Sequence, residues 1–210
     1  MNIAIPIFAA FTALDAVGPY EVLSRLPGAT VRFLAEQPGP YRTEQGTLGL
    51  IADTALADLP EPEVIVVPGG FGTRALMNDE PTLAWLRGAH ASSLWTTSVC
   101  TGALLLGAAG VLDGLEATTH WLELATLERF GARPVQRRVV EQGKVITAAG
   151  VSSGIDMALL LAARIAGDGM AQAIQLGIEY DPDPPFATGS VATAPPELVD
   201  LVRARASELA

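Results

Sequence analysis

The run Glu63-Val64-Ile65-Val66-Val67, with the corner Pro68-Gly69-Gly70-Phe71-Gly72 behind it, constrains the fold more than any other stretch of this chain. Consecutive β-branched residues without polar alternation suit a strand buried on both faces, the habit of a central strand in a parallel sheet. Leu94 to Val99 is the strand expected before Cys100, and the chain continues from it at once into an apolar helix, Thr101 to Ala109. Further strands are expected over Asn2 to Phe8, Thr30 to Ala35, Leu48 to Ile51 and Glu116 to Thr119, and a hairpin over Val135 to Ala148. Helical spacing marks Leu14 to Leu26 (Pro19 near its start), Asn78 to Arg87, His120 to Phe130, Ile155 to Ala166, Met170 to Glu179 and Pro196 to Leu209. Tyr180 to Phe186 is too proline-rich for a helix. Strands alternating with helices predict a doubly wound α/β sandwich with a hairpin insertion, and 210 residues suit a single domain, 1–210.

In such a sheet ligands bind beyond the C-terminal strand ends. The loop after Phe8, the glycine corner after Val67 and the turn at Cys100 should therefore meet, bringing Asp15, Gly69, Gly70, Cys100 and Thr101 together. Cys100 is the only cysteine, so no intrachain disulfide can form and a reducing cytoplasm is the expected setting. Ser98-Val99-Cys100-Thr101-Gly102 has the spacing of a nucleophile elbow, and a thiol at a helix N-terminus is expected to favour thiolate. Gly69 and Gly70 allow backbone N–H groups to approach a ligand. Asp15, the one acid in its loop, would sit by the thiol as a proton partner, and Thr101 would orient the thiol or a substrate.

Competing chemistries are weaker. Gly150-Val151-Ser152-Ser153-Gly154 matches a serine-hydrolase corner, but that mechanism needs its histidine downstream, and both histidines, His90 and His120, precede Ser152. His120 remains a candidate at a strand-to-helix junction, whereas His90 is expected in a solvated loop. Metal-ligand spacing is absent. The net charge of −10, without a basic patch, argues against nucleic acid and anionic membrane surfaces. No signal peptide or membrane-spanning run is expected.

Val66-Val67-Pro68-Gly69-Gly70 followed by Ser98-Val99-Cys100-Thr101-Gly102 resembles the ThiJ/PfpI superfamily, relatives of the class I glutamine amidotransferases. Ala13-Leu14-Asp15-Ala16-Val17-Gly18-Pro19, Ala117-Thr118-Thr119-His120-Trp121 and Gln175 to Pro182 are similar to its isonitrile-hydrating branch. The resemblance implies a flavodoxin-like sandwich, a homodimer, no cofactor, Cys100 as nucleophile and Asp15 as its acid. Many members carry Glu at the Asp15 position, and the protease-like branch carries His after the cysteine, where this chain has Thr101. The resemblance implies hydration of an isonitrile to a formamide through a covalent thioimidate. A glyoxalase- or deglycase-like enzyme and a cysteine redox sensor stay open as alternatives. The superfamily also supplies the sensor half of transcription regulators, but one helix after Pro196 is too short for a helix-turn-helix module.

Overall fold

The computed structural model describes residues 1–208. In chain order the elements are β1 (Asn2–Pro6), α1 (Ala13–Leu23), β2 (Thr30–Ala35), β3 (Gly39–Arg42), β4 (Gly49–Ala52), β5 (Thr54–Ala55), β6 (Val64–Val67), α2 (Thr73–Leu76) and α3 (Glu80–Ser92). They continue with β7 (Trp95–Val99), α4 (Gly102–Ala108), β8 (Glu116–Ala117), a 3-10 helix over Trp121–Phe130, β9 (Arg133–Pro134), β10 (Val139–Gln142) and β11 (Val145–Ala148). The last three helices are α5 (Ser153–Ala166), α6 (Asp168–Gly177) and α7 (Pro196–Glu208). The expected end of the final helix, Leu209, lies outside the described residues.

Seven strands form one sheet in the order β10-β11-β7-β6-β1-β2-β5. Every pairing is parallel except β10 with β11, the expected hairpin. β6 stands in the centre with all four residues buried, as its unbroken β-branched run requires. The chain runs outward from β1 through β2 to β5, then returns to the other side of β1 at β6. The loops leaving β1 and β6 therefore part in opposite directions, and in a sheet wound this way that switch point is the expected place for a ligand. β3 and β4 form a separate antiparallel hairpin, and β8 pairs with β9. The fold is α/β with a mostly parallel, mixed sheet.

Four local readings change. Pro19 lies inside α1, not near its start. It cannot donate to the carbonyl four residues back, that of Asp15, and its ring packs toward Gly154 at the start of α5 instead. The Gln37 to Gly49 stretch hides β3. A short extra helix, α2, precedes α3, which starts at Glu80 after Asp79 caps it through the Thr82 N–H. The segment after His120 coils as a 3-10 helix.

α4 is buried from Gly102 to Gly107, which explains why it is apolar on every side. His90 lies inside α3 and not in the solvated loop expected of it: at the N-terminal edge of the sheet it forms a hydrogen-bonded cluster with Ser93 and Thr96 through 2.9 Å contacts. Lys144 donates to the His90 and Ser93 carbonyls there. The residues divide into two compact units, 1–178, which holds the sheet, and a C-terminal stretch from Glu179, which holds α7. Among the described residues no helix is long and apolar enough to cross a membrane.

Candidate active site

β7 ends at Val99, and Cys100 follows with φ at +55°, a conformation that L side chains rarely adopt. The strain turns the chain sharply into α4 and sets the thiol at the corner. The corner is fastened on both sides. The Cys100 N–H donates to the carbonyls of Ala148 (3.1 Å) and Ala149 (3.0 Å), and the Thr119 hydroxyl donates to the Cys100 carbonyl at 2.7 Å. Gly102 must be glycine, because a Cβ there would lie 2.1 Å from the Val67 carbonyl oxygen.

The glycine corner presses directly on this elbow. A Cβ on Gly69 would stand 2.5 Å from the Thr101 nitrogen and 2.9 Å from the Cys100 Cβ. Gly70 has φ at +130°, and a Cβ there would meet the backbone of Ala10, Phe11 and Thr12. The first turn of α1 supplies Asp15, wholly buried, whose Oδ2 accepts the Gly69 N–H at 2.9 Å. Asp15, Gly69, Gly70, Cys100 and Thr101 thus do meet at the C-terminal edge of the sheet.

Two expectations about their chemistry need correction. The Gly69 and Gly70 N–H groups do not stand open to a ligand: the first donates to Asp15 and the second to the Thr101 hydroxyl at 2.9 Å. Nor does the helix start alone set the ionisation of Cys100. Burial, and then the negative charge of Asp15, push the thiol well above its ordinary range, outweighing the Thr101 N–H and hydroxyl that pull it down. Burial also raises Asp15 to about 7, against the pull of the Gly69 N–H. Among the described residues Asp15 Oδ1 has no hydrogen-bond partner at ordinary distance, although the Cys100 thiol lies near enough to pull the carboxyl back down. A carboxyl at this pKa holds a proton near neutrality, and its unpartnered oxygen is where it can give that proton away.

His120 shares no hydrogen bond with Cys100 or Asp15 among the described residues. Its Nδ1 accepts the Leu122 N–H, its ring fills the space a Cβ on Gly150 would need, and burial lowers its pKa. Ser152 is exposed beside Arg138. No group of His, Cys, Asp and Glu among the described residues could hold a metal ion.

Three participants escaped the sequence reading. Thr119 was passed over inside a strand-to-helix junction. Thr12 anchors the loop by donating its N–H to the Gly69 carbonyl at 2.8 Å. Glu44 accepts the Thr12 hydroxyl at 3.1 Å, and its charge raises both Asp15 and Cys100. Nothing local announced Glu44, which lies in a turn-rich segment distant in sequence from both.

Comparison with known proteins agrees with this architecture. Isonitrile hydratase of Pseudomonas putida is 44% identical over 207 residues, covering 99% of this chain and 90% of that protein. A transcriptional regulator of Pseudomonas aeruginosa is 31% identical over 80% of this chain, which spans only 50% of the regulator. The crystal structure of a ThiJ/PfpI family protein from Pseudomonas syringae matches with a TM-score of 0.95 at 37% identity, covering 99% of this chain and 86% of that one. Drosophila melanogaster DJ-1beta shares the fold at a TM-score of 0.76 and 21% identity, over 85% of this chain and 97% of that one. The DJ-1/PfpI family model matches residues 1–164, and with the elbow, the glycine corner and the seven-stranded sheet in place the chain belongs to that family.

Proposed function

We propose that this protein is an isonitrile hydratase, adding water to an isonitrile through Cys100 to release an N-substituted formamide. One observation carries the reading: the buried Asp15 carboxyl, with one oxygen unpaired among the described residues, stands beside the buried Cys100 thiol, and the adjacent glycine N–H donors are already spent. An isonitrile is uncharged, and its terminal carbon takes up both a nucleophile and a proton. As Sγ of Cys100 bonds to that carbon, Asp15 gives the carbon its proton and receives the thiol proton in exchange. The product is a neutral thioimidate, so no oxyanion needs stabilising in this step. Water then adds to the same carbon while the nitrogen is protonated, with Asp15 relaying the proton. Collapse of the adduct returns a proton to sulfur and frees the formamide. One water is consumed and no electrons are exchanged, so the reaction calls for no cofactor. Thr101, bonded to Gly70 and acting on the thiol, orients the nucleophile.

Attack on an aldehyde, as in a glyoxalase-like enzyme, builds charge on oxygen and needs free donors. The occupied N–H groups of Gly69 and Gly70 speak against it. A redox sensor needs an exposed, low-pKa thiol, whereas Cys100 is 6% exposed and pushed upward. The 44% identity to isonitrile hydratase points the same way.

The test is formamide release from an alkyl or aryl isonitrile by the purified protein. Cys100→Ala should abolish it, and full activity in that variant would end the proposal. Asp15→Asn should lower turnover by about 100-fold or more. Assembly as a homodimer belongs to the same reading, and light scattering would then give twice the chain mass of 21.8 kDa.

A further inference from the structure

Glu44 reaches the site through the hairpin between β3 and β4. The chain just beyond β3 lies along the loop that precedes α1: the Ala10 N–H donates to the Arg42 carbonyl at 2.8 Å, the Glu44 N–H donates to the Phe11 carbonyl at 3.1 Å, and Phe11 bridges Thr43. These backbone contacts leave the half-buried Glu44 carboxylate on the Thr12 hydroxyl, three residues before Asp15. The same Ala10 to Thr12 backbone lies against Gly70, which bonds to Thr101. Glu44, Thr12, the glycine corner and the elbow are one contiguous structure.

The charges around it are one-sided. Among the described residues Glu44 forms no ion pair. The cation nearest in sequence to the glycine corner, Arg74, is engaged by Glu123 at 2.8 Å and lies over the Phe71 ring. Arg42 donates to the Thr47 carbonyl, within its own hairpin.

We infer that Glu44 is a specificity-determining residue of this site, repelling anionic molecules and restricting its substrates to neutral or cationic ones. The inference refines the hydratase reading by excluding isonitriles that carry a carboxylate. Glu44 acts through space on whatever approaches the thiol. Its negative charge raises Cys100 and Asp15 alike, behind burial in each case, which accords with the short path through Thr12.

A charge filter can be read without assuming any enzymatic activity, because Cys100 is the only thiol. The rate of its alkylation by neutral iodoacetamide is divided by the rate with anionic iodoacetate, and this ratio is compared with that of the urea-unfolded chain. A change in thiol pKa alters both rates equally and cancels. The folded protein should show a ratio larger than the unfolded chain. Glu44→Gln, which keeps an acceptor for Thr12, should reduce the ratio by about threefold or more, while Glu44→Asp should retain most of it. Added salt should erode the discrimination in the native protein more than in Glu44→Gln. An unchanged ratio in a folded Glu44→Gln variant would overturn the inference. In parallel, a neutral isonitrile and isocyanoacetate are offered to both proteins. A shifted alkylation ratio without turnover of either isonitrile sustains the charge filter and removes the hydratase reading. Turnover of the neutral compound with isocyanoacetate accepted equally by the native protein removes the filter and leaves the hydratase reading standing.

Discussion

Asp15 carries the clearest link between ionisation and stability. Its pKa is about 7 in the folded protein against an ordinary 3.8. Between these values the unfolded chain has lost a proton that the folded chain still holds, so stability falls as pH rises. The contribution is fully present below about 3.8 and lost on passing about 7, a span worth roughly 4 kcal/mol. Asp15→Asn should remove that slope and make the variant more stable than the native protein at about pH 8, as urea midpoints at about pH 5 and pH 8 would show. An equal slope in both proteins would contradict the assignment. Activity should follow the same proton: kcat/KM for a neutral isonitrile should fall as pH rises through about 7, because the first step uses Asp15 in its protonated form. The residue that destabilises the fold at high pH is thus the one proposed to run the chemistry.

Among the elements, α4 and its corner are held to the sheet by close backbone packing. Gly102→Ala would drive a methyl group into the Val67 carbonyl, so a loss of about 3 kcal/mol is expected from denaturant unfolding. Gly88 in α3 is the contrasting case, exposed and with nothing within 4 Å of an added Cβ. Gly88→Ala should stabilise by about 0.5–1 kcal/mol through the helix backbone alone. The same contrast shows what was legible beforehand. β6 could be read directly, because Val64 to Val67 is a local pattern whose burial follows from composition, and β7 could be read as the strand leading into the elbow, although the burial of Thr96, Thr97 and Ser98 was not legible. The meeting of Asp15, Gly69 and Cys100 followed from the rule that strand ends share a crevice. The pairing of Phe11 with Thr43 and Glu44 could not be read, since no local periodicity encodes a contact between a loop and a distant hairpin. The thiol's ionisation was misjudged for a related reason. A helix start is visible in sequence, but desolvation depends on everything packed over it, and here burial is the first cause that pushes the thiol up.

Across the whole molecule, the centre of the sheet should be the last part to open. The amides of Val64 to Val67 and Thr96 to Val99, buried and paired on both sides, are expected to show the slowest hydrogen exchange, ahead of the peripheral β3–β4 hairpin. Comparable protection in that hairpin would contradict this order. The two edges of the sheet have different duties. The candidate reacting groups stand where the strands end, while the cluster of His90, Ser93, Thr96 and Lys144 ties the strands together where they begin. That separation gives the fold room to diverge. Loops at one rim can be rewritten to suit a new substrate without disturbing the polar knot at the other, so a library aimed at new selectivity should randomise the hairpin around Glu44 and leave that knot alone.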